Sequence, residues 1–387
     1  MPRLSVIEIP YKGCDIVVDR QEKRQSMQEE RLYAAALLSI PHLGSRSIRA
    51  LMEIYGSALR VWNIPCEELK TKIRLPARVY DQIDSWRRQY DWDKQLRYLE
   101  KYHTKLISLW DEGYPHILKE TYNPPVVLYY QGELPDIHRS IAVVGARKST
   151  SYGIKAAQEL AKEMAQNMIT VVSGGARGID TSAHCGALLG YGKTTAVVAN
   201  GLDQVYPLEN RKLFSDIVEH GGAVLSEYAF GMVPVPQNFP ARNRIIAGLS
   251  SGVVVIEAAL RSGALITADF ALEEGRDVFA VPGTIYSPMS RGTNALLRRG
   301  AIVLTSVQDI LEEYGWEKKK KCIKQKIISL TLEESAVLAA VPDDAAISID
   351  QLILRTQIMA PQMSSILLHL QLEELIENGG RNMYIRK

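Results

Sequence analysis

Two short segments carry much of the chain's chemical character. In Val143-Val144-Gly145-Ala146-Arg147-Lys148-Ser149-Thr150 an apolar run ends in a glycine and then a forked cation. In Val172-Ser173-Gly174-Gly175-Ala176-Arg177-Gly178-Ile179-Asp180 the design returns with three glycines. Glycine lets backbone approach a ligand closely, and arginine offers a planar fork of donors suited to phosphate or carboxylate. A helix opening after each loop adds the partial positive charge of its N-terminus. One such loop is equally explained by a helix packing tightly on a strand. Two at sequential strand ends, both with an arginine, point to an anionic ligand, with Gly145, Ala146, Arg147, Ser173, Gly174, Gly175, Arg177 and Gly178 as its contacts.

Further along, Ser262-Gly263-Ala264 and Gly292-Thr293-Asn294 mark two more helix starts, and Asn200-Gly201 another strand end. Donors spread over so many strand ends suit an extended polyanion better than one compact nucleotide. Asn238-Phe239-Pro240-Ala241-Arg242-Asn243-Arg244 reads as a loop in which Phe239 stacks on a base and Arg242 and Arg244 meet phosphates, flanked by Asn238 and Asn243. The competing possibility is that Phe239 belongs to the core and that Arg242 or Arg244 pairs with Glu227 or Glu257.

Other chemistries are excluded by spacing. Neither glycine loop is GxGxxG, and no acid follows at the distance that holds a ribose, so a nicotinamide cofactor is not expected. Gly186 to Thr194 resembles a P-loop, but Ala187 stands where glycine is required and Lys193 opens a strand instead of a helix. Asp180 and His184 lie four apart on one helix face and could serve acid–base or metal chemistry. With no further ligand nearby, a helix-start carboxylate and a hydrogen-bonded core histidine are the preferred assignment. The four cysteines (Cys14, Cys66, Cys185, Cys322) are scattered, which argues for a reducing compartment and against structural zinc. No Ser–His–Asp or Cys–His arrangement is legible. The expectation is therefore no catalytic residue, no cofactor and no metal.

The elements that must position these residues follow from hydrophobic patterning. Short apolar, β-branched runs at Ile141–Val144, Ile169–Val172, Thr195–Ala199, Ala223–Leu225, Val253–Ile256, Val278–Val281 and Ile302–Leu304 alternate with helical stretches. Continuous apolar strands imply burial on both faces, hence a mostly parallel sheet covered by helices, an α/β doubly wound domain whose ligands sit at the carboxyl ends of the strands. The predicted organisation is a poorly ordered leader (1–28), a small helical domain (29–100), this α/β domain (101–316), a basic linker (317–329) and a C-terminal winged helix (330–387). Met27 directly precedes the first helical pattern and is a candidate start alongside Met1. Residues 40–48 have the outline of a helix–hairpin–helix, except that His42 stands where that motif has glycine; a plain packing unit of two helices is the favoured alternative.

The chain's 387 residues allow two or three domains, and its 23% charged residues exclude a disordered or collagenous chain. No apolar run reaches the length of a membrane span, and the N-terminus lacks a signal peptide's apolar region, which leads us to expect a cytoplasmic protein. A formal charge of +2 would seem to discourage nucleic acid. It is an average over an acid-leaning winged helix, a strongly basic linker and a central domain whose arginines sit among offsetting carboxylates, so it bounds long-range steering and not function.

Taken together, these motifs resemble the DprA/Smf DNA-processing family. The resemblance is carried by Val144-Gly145-Ala146-Arg147, by Ser173 through Asp180, by Ala183-His184, Asn200-Gly201-Leu202-Asp203, Tyr206-Pro207 and Ser226-Glu227, and by Phe239 through Ser250. Glu257-Ala258, Ser262 through Ala268, Val281-Pro282-Gly283 and Gly292-Thr293-Asn294 complete it. It implies an extended Rossmann-like fold, flanked by a SAM- or helix–hairpin–helix-like domain and a winged helix. It further implies a homodimer that binds and protects single-stranded DNA without cleaving it and loads RecA recombinase onto incoming strands in natural transformation, with single-strand-binding protein as a further partner. Many members carry a basic residue shortly before the Phe-Pro-x-Arg-Asn-Arg element. Here Val233-Pro234-Val235-Pro236-Gln237 has none, so either the phosphate contact there is weaker or Lys155 substitutes. The alternative from another class is a nucleoside-phosphate-processing enzyme of the lysine-decarboxylase-like Rossmann group, but the Pro-Gly-Gly-x-Gly-Thr loop such enzymes need is absent.

The helix expected to enter a DNA groove, from Ala360 to Glu374, contains no lysine or arginine and ends in two glutamates. A protein-contact or regulatory role is expected of the winged helix, with duplex DNA the minor alternative, since groove recognition draws on such cations.

Overall fold

In the central strands, neighbouring residues enter opposite cores: Ile141 and Val143 pack on one face of the sheet, Ala142 and Val144 on the other. This two-residue alternation, apolar on both sides, requires helices on both faces. The protein, here a computed structural model, is described over residues 27–134, 138–317, 330–342, 346–372, 375–380 and 383–386. The expected leader up to residue 26 and linker residues 318–329 lie outside the described residues.

The chain divides into two compact units, Met1–Lys319 and Lys320–Lys387. The first begins with helices α1 (residues 27–38), α2 (Ser45–Tyr55), α3 (Ala58–Asn63), α4 (Cys66–Lys72), α5 (Ala77–Gln89) and α6 (Trp92–Lys101). There follow β1 (Lys105–Ser108), α7 (His116–Lys119), β2 (Val127–Gly132), β3 (Ser140–Val144), α8 (Ser151–Gln166), β4 (Thr170–Ser173), α9 (Ile179–Leu189) and β5 (Thr194–Val197). After α10 (Arg211–Glu219) and β6 (Ala223–Ser226) come α11 (Asn238–Gly248), β7 (Gly252–Val255), α12 (Gly263–Glu273), β8 (Asp277–Ala280), α13 (Arg291–Arg298), β9 (Ile302–Val303) and α14 (Val307–Glu313).

The sheet order is β1-β2-β6-β5-β4-β3-β7-β8-β9. All seven expected strands are present as β3–β9, mutually parallel. The sheet is extended by an antiparallel edge, β2 on β6 and β1 on β2, that the sequence patterning does not single out. The helical segment shares a core with this edge: Leu37, Leu51 and Trp62 belong to one buried cluster with Val127, Tyr129 and Phe214. An ion pair, Arg31 to Asp111 at 2.8 Å, crosses the same boundary. The boundary placed near residue 100 is thus a change of element type without a break in packing.

Helices α1 and α2 and the turn between them have the anticipated outline. His42 takes φ +65°, the left-handed conformation that glycine would supply at no steric cost. Because His42 is exposed and contributes no core contact, His42→Gly should raise stability by roughly 0.5–1 kcal/mol through relief of backbone strain. Denaturant titration of both proteins measures this, and an unchanged or lower midpoint for the variant would remove the strain.

The second unit holds α15 (Leu332–Ala340), β10 (Ile347–Ser348), α16 (Ile349–Thr356), α17 (Ala360–Leu372) and the hairpin β11 (Ile376–Gly380) and β12 (Met383–Arg386), with sheet order β10-β12-β11. It is the expected winged helix. Thr331 and Glu334 form the anticipated capping box, each side chain meeting the other's backbone N–H at 3.2 and 2.8 Å.

Candidate nucleic-acid interface

Strand order reverses beside β3: its crossover through α8 leads one way to β4, whereas β7, on its other side, leads through α12 the opposite way to β8. In open α/β sheets such a reversal leaves a crevice at the carboxyl ends of the strands. A cavity of about 570 Å³ occupies it, bounded by the β3 loop (Gly145, Arg147), the start of α9 (Asp180), the first turns of α11 (Phe239, Asn243) and the N-terminus of α12 (Gly263).

The segment from Asn238 is not the expected loop but the beginning of α11, with Pro240 in the first turn, where a missing N–H costs nothing. This decides the fate of its arginines. Residues two apart on a helix point to nearly opposite sides, so Arg242 and Arg244 cannot both face one ligand. Arg242 is 4% exposed; its Nη1 donates to the carbonyls of Gly174 (2.8 Å) and Val197, tying β4 to β5. Arg244 points the other way, onto the Glu227 carboxylate and the Asn123 carbonyl (2.7 Å), while Glu227 also accepts from Ser45 Oγ at 2.9 Å. It joins the helical segment to the sheet. The anticipated Arg244–Glu227 pairing is what the structure contains, whereas Arg242, while bracing the two strand ends, also lines the cavity.

Other expected contacts are similarly committed. Arg177 pairs with Glu209 at 2.6 Å. Ser173 is fully buried and donates to the Val143 carbonyl. A Cβ on Gly145 would lie 2.6 Å from Ile179, one on Gly174 2.6 Å from the Asp180 carboxylate, and one on Gly178 (φ +79°) 2.4 Å from the Ala146 carbonyl. Gly145, Gly174 and Gly178 are therefore demanded by tight packing of α9 on the strands, and Gly175 (φ +63°) by its turn. Ala146 is buried between these segments. Asn238 donates to the Ala199 carbonyl. Gly292 abuts the Ala258 carbonyl, Thr293 donates to the Ser290 carbonyl, and Asn294 clasps both backbone groups of Gly283. Those three shape a neighbouring loop and do not line the cavity. Lys155 lies along α8 beside Tyr152 and Glu159, at a separate hollow, and does not line this cavity.

What remains available is concentrated at the mouth. Arg147 is exposed, and among the described residues it forms no ion pair. Its guanidinium lies 4.8 Å over the Phe239 ring, and Tyr206 packs 5.7 Å from the same ring. The N-terminus of α12, capped by Ser262, borders them, and Gly263 has open space where a Cβ would stand. Tyr206, Asp180 and the prolines Pro234 and Pro236 line the cavity without having been expected to. The Tyr-Pro pair and the alternating prolines were visible in the sequence, but nothing in their types says what they face.

Burial, followed by the nearby Arg242, pushes His184 down to about 3, so it is neutral. Its Nδ1 lies 2.7 Å from Thr194 Oγ1, which itself donates to the Val171 carbonyl, so the proton sits on Nδ1. Burial pushes Asp180 up to about 6 against the pull of Arg242 and of the Ala176 N–H. Arg242 is lowered by burial to about 10 and stays charged.

The two shifts have opposite consequences. Asp180 favours the folded state below its unfolded pKa near 3.8, and that contribution is lost as pH rises through about 6. His184 favours it above 6.5 and loses that contribution as pH falls toward about 3. Between about pH 4 and 6 they offset one another. Asp180→Asn should therefore expose the histidine slope, losing up to about 1.4 kcal/mol per pH unit on acidification relative to wild type. Melting temperatures across this range give the comparison; parallel curves would contradict the opposed titrations. Separately, Arg244→Ala strands the largely buried Glu227 and should cost about 3 kcal/mol, partly restored by adding Glu227→Gln. Equilibrium unfolding of the single and double variants tests the pair, and an additive loss would refute it.

With this geometry in place, comparison with known proteins gives consistent results. The family model for DNA recombination-mediator protein A matches residues 105–315, and that for the DprA winged helix domain matches residues 324–380. The chain is 47% identical over 210 residues to DNA processing protein DprA of Streptococcus pneumoniae and 44% identical over 221 residues to protein Smf of Escherichia coli. These matches span 54% and 57% of this chain, and 73% and 59% of the relatives. The crystal structure of the S. pneumoniae protein superposes with TM-score 0.63 at 38% identity, covering 73% of this chain and 97% of that one. A structure of DNA processing protein A from Helicobacter pylori, described for its single-stranded DNA binding mode, covers 56% of this chain and 99% of its own, with TM-score 0.50 at 30% identity.

Proposed function

The chain belongs to the DNA recombination-mediator protein A family, the DprA/Smf proteins, and from that premise we propose that it binds single-stranded DNA at the β3–β7 crevice and acts without catalysis as a recombination mediator. On this reading it protects incoming single strands and loads RecA onto them in natural transformation, working in the cytoplasm as a homodimer with single-strand-binding protein as a further partner. The observation that carries the binding assignment is Arg147 lying 4.8 Å over the Phe239 ring at the cavity mouth, unpaired among the described residues. A cation and an aromatic face at one point suit a strand whose phosphates and bases alternate, because the ring stacks on any base and the guanidinium meets the adjoining phosphate. The α12 N-terminus beside them supports a second phosphate contact.

The H. pylori relative supports a single-stranded ligand. No helix among the described residues is long and apolar enough to cross a membrane. In the winged helix, α17 buries Met363, Leu367 and Leu370 and exposes Leu368, with no lysine or arginine along its length, so we assign this unit to protein contacts.

Polarisation titrations with a labelled single-stranded oligonucleotide and the matching duplex test the proposal. Wild type should prefer the single strand, and Phe239→Ala should weaken it roughly tenfold, within the about 1–3 kcal/mol per base that stacking supplies. Arg147→Ala should do likewise. Unchanged binding by both folded variants would move the interface elsewhere.

A further inference from the structure

The β3 loop stands between two hollows. Gly145 and Arg147 line the crevice described above, whereas Thr150 lines a second hollow of about 590 Å³. Its other walls include Tyr152 at the start of α8 and Pro282, Thr284 and Ser287 in the loop that leaves β8. The carboxylate in its lining, Glu257, is 2% exposed and is held at the start of α8 by the Thr150 N–H (2.9 Å) and the Thr150 hydroxyl. The β8 loop is pinned at several points. Asn294 clasps Gly283, the Ala258 N–H donates to the Met289 carbonyl at 2.7 Å, and the Gly292 N–H donates to the Ala258 carbonyl at 2.8 Å. On this fixed loop Ile285 and Tyr286 stand out into solvent, Tyr286 86% exposed.

The exposed charge on these loops has one sign. Residues 145–153, 258–263 and 282–294 hold Arg147, Lys148, Arg261 and Arg291 and no aspartate or glutamate. All four cations are exposed, and none forms an ion pair among the described residues. Such a row repels itself and is relieved by a polyanion lying across it. It has an end on each side. Beyond the crevice, Arg177 is neutralised by Glu209, and along α8 the first acids, Glu159 and Glu163, line a different hollow with Lys155.

Resting on the single-strand reading above, we propose that the bound strand leaves the crevice across the β3 loop and occupies a second site at the β8 loop, where Tyr286 stacks on a base and Arg291 meets a phosphate. Arg147 and Lys148 lie on the ridge between the two hollows, and Arg261 lies just before the α12 N-terminus. An exposed aromatic ring next to unpaired cations suits alternating bases and phosphates, because a ring stacks on any base. Hydroxyls of Thr284 and Ser287 in the hollow both donate and accept, which suits a sugar or a base edge without selecting one. Because the β8 loop is already fixed, little ordering is left to oppose binding. The strand therefore runs from the β3–β7 crevice toward β8, away from the Arg177–Glu209 pair.

The test titrates the full chain with oligodeoxythymidylates of about 4 and about 12 nucleotides, within the range that single-strand modules cover. Tyr286→Ala should weaken the longer strand roughly fivefold or more, the low end of what stacking on one base supplies, and leave the shorter strand unchanged. Arg291→Gln should make the salt slope for the longer strand shallower by about 0.7, again without effect on the shorter one. Phe239→Ala, in the crevice, should weaken both. Tyr191→Ala, which removes an equally exposed ring at the amino end of β5, should change neither. Longer-strand binding unaltered by Tyr286→Ala and Arg291→Gln would overturn the second site and leave the crevice reading standing. Equal losses on both strands would merge Tyr286 with the crevice and likewise overturn a separate site. Failure of the wild type to bind either strand would remove the single-strand reading itself.

Discussion

The buried guanidinium of Arg242 is the interaction on which the crevice depends. It enters from α11, donates to the carbonyls of Gly174 and Val197 at the ends of β4 and β5, and lies near the Asp180 carboxylate at the start of α9. Strand-end carbonyls that have left the sheet ladder would otherwise be unsatisfied in a dry interior. Holding them with one fixed cation sets the depth of the cavity and leaves Gly174 no room for a side chain. The same cation offsets part of the cost of burying Asp180. The site is thus shaped by a charge that does not itself reach outward.

From this follows a division of labour among the arginines. Helical phase sends Arg242 to the sheet and Arg244 to Glu227, where it joins the α2 terminus to the central domain through Ser45. Arg177 is occupied by Glu209. Arg147 alone of these four stands exposed beside an aromatic face without an ion pair among the described residues. On the proposed function, a strand bound here relies on one forked cation, the α12 N-terminus and stacking, contacts that a net charge of only +2 permits.

The parallel sheet was legible because its strands are buried on both faces and read as unbroken apolar runs such as Ile141–Val144. The winged helix was legible from its capping box and terminal hairpin. The β1 and β2 edge was harder, since Lys105–Ser108 is short and Val127–Gly132 mixes tyrosine and glutamine like a loop flank. At the site, residue types pointed to the right loops and overcounted the contacts. Glycines that admit a ligand and glycines that admit a neighbouring helix are the same residue, and only coordinates separate Gly263, with open space, from Gly145, pressed on Ile179. Reading Asn238–Arg244 as a loop concealed the phase that sorts its arginines, because Pro240 looks like a helix breaker yet is tolerated in a first turn.

The central claim, that the strand's phosphates meet Arg147 while Arg242 and Arg244 hold the fold, is tested most directly by the salt dependence of single-strand binding. Each phosphate contact on a single strand contributes about 0.7 to the slope of log affinity against log salt. Arg147→Gln should make that slope shallower by about this amount, whereas Arg244→Gln, though less stable, should keep the wild-type slope while it remains folded. A slope unchanged by Arg147→Gln and reduced by Arg244→Gln would contradict the account.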